Sequence, residues 1–419
     1  MEIAPRRWWR CPLDVESLAG TAVGRVRAAA AELAAVRGLD VEVTTAPRLV
    51  AASFAAYEML RIDGRAPDVW AELSGVVAAR DGWVRLHGNY PHHAEITRAV
   101  LGIEDRAGLE RAIAARAAEE VAAELSAAGG IAVAVRTAEQ WEAGPHARAV
   151  AGDPWSVVED RGARPVPGPL HGGAAPLTGI RVLDLTRVIA GPTATQLLAC
   201  LGAEVLRVDP PHRPEILAQH LSTGMGKRSA EVDLRRDASA VRALAAQADV
   251  ILGGYRPGAL AALGLGTEGL EELAPHAVIV ALSAWGEHGP WGRRAGFDSI
   301  VQAASGIAAI CGADGRPGAL PVQALDHSTG HLLAAHVLEA LTAGRAVTVR
   351  ASLLGAARTL LALPPPPAAE PEELLIPRVE VPFSGGVLRA VPPPLLLDGL
   401  TIERPVGTYG AARPQWREE

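Results

Sequence analysis

The chain has 419 residues, 49% of them apolar, enough for two or three domains with real cores. Its formal charge of −7 offers no basic surface to nucleic acid, and no uncharged apolar run reaches the roughly 18 residues of a membrane span. Cys11, Cys200 and Cys311 form neither a disulfide framework nor a zinc spacing. With no signal-like apolar stretch behind Arg6, Arg7 and Arg10, they point to a cytoplasmic protein.

Two Pro/Gly-rich stretches, 164–176 (RPVPGPLHGGAAP) and 363–371 (LPPPPAAEP), read as linkers because neither can hold a helix or a central strand. They divide the chain into a small α+β module over 1–163, a linker at 164–178, a catalytic module over 179–362, and a Pro-rich linker and tail over 363–419. In the first module the pattern predicts a helix at 15–36, a strand at 82–87, a helix at 108–128 closed by Gly129 and Gly130, and a strand at 131–135. The second module alternates strands at 180–185, 204–208, 250–252 and 277–282 with helices at 193–201, 238–248 and around 270–273. That alternation predicts an α/β fold, a Rossmann-like parallel sheet wound with helices, which binds ligands beyond its C-terminal strand ends.

The loops after those strands carry the polar constellations. The first reads DLTRVIAGP from Asp184 and has one glycine, so it is not a dinucleotide fingerprint. Lys227, the only lysine, and Arg228 and Arg235 concentrate cations, and Arg256 follows in GGYRPG. Such cations hold phosphates, or equally form a solvated surface. Asp326 stands just before an apolar helix at 331–341, as a helix cap or as a carboxylate held for chemistry. His327 and His331 share a helix face at a possible metal spacing, but no acidic or cysteine partner is evident, and no metal is expected. His92 and His93 read as a loop pair. The sequence contains no nucleophile elbow, P-loop, HExxH or CxxC, so the corresponding hydrolase and protease readings lose their support.

Five landmarks in order resemble CoA-transferase family III, the CaiB/BaiF family: LDLTRVIAGP (183–192) with LGAEVLRVD (201–209), GKRS (226–229) with Val232, ADVI (248–251) with YRPGAL (255–260), GEHGPW (286–291) with GFD (296–298), and Leu325-Asp326 with Thr329-Gly330. DGWVRL (81–86) and GGIAVAV (129–135) resemble the family's small domain, here placed ahead of the catalytic one. The tail from Phe383 to Pro394 resembles the return to the large domain.

The resemblance implies transfer of coenzyme A between an acyl-CoA and a small carboxylic acid through an aspartyl-CoA thioester. Asp326 matches the nucleophile, and an ordinary carboxyl pKa of about 3.9 would leave it ionised at neutral pH. Val188, Ile189 and Ala190 match positions lining the CoA site, and Val232, Arg235, Gly254 and Tyr255 match those contacting the nucleotide, with Tyr255 a stacking surface for adenine or a half-buried core residue. CoA and acyl-CoA enter as substrates, with no prosthetic group, and a homodimer, possibly interlaced, is implied. Pro210 and Ala262 stand where arginines often contact CoA, which implies that phosphate binding is weaker or uses Arg213 and Arg256. No run of glycines matches the mobile loop of some members. Two alternatives stand beside the transferase. A racemase or isomerase pairs a His with the Asp, but Phe297 fills that position. A non-catalytic CoA-binding subunit would keep the fold without turnover.

Overall fold

The computed structural model describes residues 8–171, 174–366, 371–375 and 377–418. Arg6, Arg7 and residues 172–173 and 367–370 of the two expected linkers lie outside the described residues. The central element is a seven-stranded sheet: β1 (Ser156–Ala163), β2 (Arg181–Leu185), β3 (Glu204–Asp209), β4 (Arg228–Glu231), β5 (Val250–Gly253), β6 (Val278–Ser283) and β7 (Arg345–Ser352). Their spatial order is β1-β7-β6-β5-β2-β3-β4. All neighbours are parallel except β1, which runs antiparallel on β7.

Alternation along the strands explains how the sheet is buried. Val182, Val205, Val250 and Val278 face one core, and Leu183, Leu206, Ile251 and Ile279 face the other. Both faces are covered, so the inner strands carry few polar side chains. The first core is built by helices α1 (Val15–Val36), α2 (Ala190–Cys200), α3 (Asp298–Ser305) and α4 (Ala324–Thr342). Helix α4 is almost wholly buried, with the polar side chains Asp326, His327, Ser328, Thr329 and His331 in its N-terminal half buried along with its apolar ones. Gly330 lets it lie against α2, since a Cβ there would come 2.4 Å from the Ala190 carbonyl oxygen.

The segment 1–163 distributes over two packing units. Its residues 15–36 pack on α4, and its residues 156–163 form the edge of the central sheet. Between them, strands Gly75–Ala79, Gly82–Leu86 and Ala132–Ala134 form a separate antiparallel sheet with its own core. The apolar face of α1, with Val15, Leu18, Val23, Val26 and Leu33 buried, packs on α4. Arg25 also reaches across to Glu339 at 2.7 Å and to His336 at 3.2 Å, and His336 bonds Ser156 at 2.8 Å. The helix expected at 108–128 is two, Arg106–Ala114 and Ala118–Ala127. Asp81 caps the second by accepting the Ala118 N–H at 2.8 Å, a tertiary contact with no local signature. The tail returns to the large sheet, where Trp416 enters the second core.

Candidate active site

The loop after β2 is held in an uncommon backbone shape. Val188 has φ of 70°, a conformation that β-branched residues rarely adopt. Its N–H donates to Glu215 Oε2 at 3.0 Å. Glu215 also accepts from Arg207 at 2.8 Å, and its other oxygen accepts from the Tyr90 hydroxyl and the Ile216 N–H. Arg207 and Arg187 hold this carboxyl down to about 2 despite its burial, so it stays ionised and the anchor is permanent. Gly191 opens α2 against Thr186, whose Cβ would lie 2.3 Å from any added Cβ.

Asp326 sits in the first turn of α4, not ahead of it as the sequence suggested. Gln323 at the cap position makes no side-chain cap. Asp298, at the start of α3, supplies it instead: its Oδ2 accepts the Asp326 N–H at 3.0 Å, and it takes a further bond from the Leu325 backbone. Its Oδ1 accepts from Gln302. A carboxylate from another helix therefore caps the helix that carries Asp326.

Both carboxyls are buried, and this corrects the expectation of an ordinary acid. Burial raises Asp298 to about 6. Burial, together with the charge of Asp298, raises Asp326 well above the usual carboxylate range. The amide donors favour charge on Asp298, so the resting pair keeps its proton on Asp326.

A cavity of about 30 Å³ joins Asp326 to Val188, Ile189, Asp298, Phe297 and His87. It has room for a water or two, so an acyl group enters only if side chains move. His87 comes from the N-terminal segment and stacks on Phe297 with centroids 4.0 Å apart. Its Nδ1 is buried without a partner, and burial pushes the imidazole down to about 3. Sequence reading gave no role to His87, Glu215 or Asp298, the last although it stands in the GFD landmark, because each acts through contacts distant in the chain.

The other expected positions scatter. Ala190 is buried in the first turn of α2, outside that cavity. Val232 follows β4, its N–H bonded to the Asp209 carbonyl at 3.0 Å. Arg235 is 66% exposed in its side chain and pairs with Asp233. Gly254 lies against Thr186. Tyr255 is half-buried on the second core, and burial and the Asp209 charge push its hydroxyl up to about 12. Arg256 is exposed, but its charge reaches His93 together with those of His92, Arg213 and Arg187. After burial, these charges help push His93 down to about 3. The basic group lies where the small sheet's helix Pro91–Leu101 begins, beside Tyr90, over which Arg187 stacks at 5.0 Å.

His327 and His331 pack on Phe54, with centroids 5.3 and 5.7 Å away, and burial pushes them down to about 4 and 3. No group of three His, Cys, Asp or Glu side chains suited to a metal occurs among the described residues. No helix among them is long and apolar enough to cross a membrane.

The model of CoA-transferase family III matches residues 177–369. A probable fatty acyl-CoA transferase of Mycobacterium tuberculosis is 38% identical over 189 residues, covering 41% of this chain and 48% of that protein. The human succinyl-CoA:glutarate CoA-transferase is 38% identical over 173 residues, covering 37% and 39%. The succinate–glutarate CoA-transferase of Agrobacterium fabrum is 34% identical over 212 residues, covering 45% and 53%. The chain thus spans about half or less of the length of these relatives. A solved hypothetical protein of M. tuberculosis superposes with a TM-score of 0.42 at 38% identity, covering 45% of this chain and 57% of that one.

Proposed function

We propose, on the premise that the chain belongs to CoA-transferase family III through residues 177–369, that it transfers coenzyme A from an acyl-CoA thioester to a carboxylic acid with Asp326 as nucleophile. The observation that carries this reading is the shared cavity. A buried carboxyl at the start of α4 faces Val188 and Ile189, at the C-terminal end of the first parallel strand. Ligands of such sheets bind there.

Ionised Asp326 attacks the thioester carbonyl, the C–S bond breaks, and CoA thiolate leaves a mixed anhydride. The thiolate attacks the aspartyl carbonyl, forming aspartyl-CoA and releasing the donor acid. The acceptor carboxylate then attacks aspartyl-CoA, and the thiolate returns to the acceptor carbonyl, regenerating the Asp326 carboxylate. Each addition develops an oxyanion, which the positive end of α2 favours. Deprotonating Asp326 is the first requirement, and Asp298 is the neighbouring carboxyl that can take the proton. Arg213 and Arg256 are the cations available to the CoA phosphates where Pro210 and Ala262 offer none.

Intact-protein and peptide mass spectrometry after incubation with a panel of acyl-CoAs tests this reading. CoA attached at Asp326, absent from Asp326→Ala, is the expected result, and full transfer by that variant would sink it. The position of His87 gives the racemase reading one supporting observation, a neutral imidazole in the Asp326 cavity. Exchange of the α-proton of a 2-methylacyl-CoA in deuterated water, without an aspartyl adduct, is the result that reading requires.

A further inference from the structure

A second cavity, of about 290 Å³, lies on the seam between the small sheet and the Gly286–Trp291 loop, and none of its lining residues borders the Asp326 cavity. Its size is near the lower end of small-molecule pockets, about 300 Å³. Trp141 and Trp291 form an aromatic wall, with centroids 5.3 Å apart at 60°. The wall is fixed from behind. The Trp291 N–H donates to His146 Nδ1 at 3.1 Å, so the ring proton belongs on Nε2, which donates to the Trp285 carbonyl at 3.0 Å. Burial keeps this imidazole below its ordinary pKa, and the ring stacks on Trp291 as a neutral plate at 5.6 Å.

The charge on the other wall is not balanced. Arg294 lies 4.2 Å over the Trp291 ring and Arg136 lies 5.0 Å over it. Arg136 pairs with Glu119 at 2.6 Å. Arg294 donates to the Ser126 hydroxyl at 2.7 Å and has no carboxylate within ion-pair distance among the described residues. Two half-buried guanidiniums therefore share one carboxylate, beside flat apolar surface. Burial, and then the charge of Arg136, hold Arg294 below its ordinary pKa, an unfavourable state that an added anion would relieve.

We propose that this cavity binds a small organic monocarboxylate with a flat apolar body. The carboxylate would pair with Arg294, and the body would lie on Trp141 and Trp291. The planar fork of an arginine matches a carboxylate. Glu119 already neutralises one of the two cations, which leaves room for a single negative charge. The proposal does not rest on the reaction proposed above, because Asp326 takes no part in this site. If that reaction holds, the chain senses an acid of its own substrate class at a distance from the chemistry.

Calorimetric titration of the whole chain with benzoate and phenylacetate, and with their neutral amides, tests it. At least one acid binds with equal affinity to the unmodified chain and to Asp326→Asn, and its amide binds roughly tenfold or more weaker. Arg294→Gln weakens the acid by a similar factor. Because that variant can disturb the Trp291 stack, Ala123→Phe at the exposed rim gives a second reading: it fills the cavity, leaves both arginines in place, and abolishes binding. The proposal fails if neither acid binds at millimolar concentration, if acid and amide bind alike, if Asp326→Asn loses the binding, or if both cavity variants retain it.

Discussion

Asp326→Asn should make the protein more stable at neutral pH while abolishing transfer. The amide has the shape of the protonated acid and no charge to desolvate. The magnitude follows from the neighbouring carboxyl. Burial, offset in part by hydrogen bonds from Gln302, Asp326 and Leu325 and by the charge of Arg85, takes Asp298 from 3.8 to about 6. That rise corresponds to roughly 3 kcal/mol for Asp298 itself. Asp326 is buried alike and also faces the charge of Asp298, so its carboxyl is raised for the same reason. The sign is that of a carboxyl raised in the folded state. The folded chain binds more protons than the unfolded chain, so stability is full below about pH 4 and falls as pH rises through the folded pKa. The variant lacks this loss. Guanidinium unfolding at several pH values between about 4 and 8 should show two curves that meet at the acid end. They should separate progressively toward pH 8, with the variant the more stable. A separation independent of pH, or no gain at pH 8, would refute the claim that Asp326 is held protonated. The trade is the familiar one in which a reactive group is kept where it is least stable.

Three further outcomes follow from the geometry. Gly330→Val drives side-chain atoms into the Ala190 carbonyl and Thr193, and should cost a few kcal/mol in unfolding measurements and weaken CoA binding by shifting the start of α2. Lys227→Met removes the 3.3 Å partner of Asp184 and the donor to Pro192 and Thr195, leaving the buried carboxylate without its ion-pair partner and with only Thr186, Thr195 and the charge of Arg207 to hold it, so about 3 kcal/mol of stability should be lost in the same assay. Arg213→Ala with Arg256→Ala should raise KM for acyl-CoA about tenfold with kcat nearly unchanged. The effect should shrink at high salt, as expected for cations on the substrate's phosphates.

The parts of the fold written in local pattern were legible. The parallel strands are short apolar runs between turn residues, and the observed strands at 181–185, 204–209, 250–253 and 278–283 match the expected ones to within a residue or two. Helix α1 matches throughout, because its spacing and its Asp14 cap are both local. What could not be read depends on partners far along the chain. The helix carrying Asp326 begins seven residues before its expected start, because its cap comes from Asp298 on another helix. A local scan sees only Gln323 there and delays the helix.

The same limit governs the site. Position 297 holds Phe, and reading along the chain takes this as the absence of an imidazole. In space His87, 210 positions earlier, stacks on that ring and borders the same cavity. Likewise Pro210 stands in the loop after β3, and the charges of Arg187, Arg213 and Arg256 reach His93 on a helix of the N-terminal segment. At the cavity the imidazole is drawn from chain that the sequence assigns to the other module, whereas the cations near His93 come from loops of the catalytic module itself. Combining Phe297→His with His87→Phe tests whether the two positions are equivalent. The double variant should retain the cavity and the stack, whereas Phe297→His alone places two imidazoles in a buried space that already pushes one of them down to about 3. The single variant should therefore be the less stable of the two, by the cost of a second buried polar ring, about 1–3 kcal/mol.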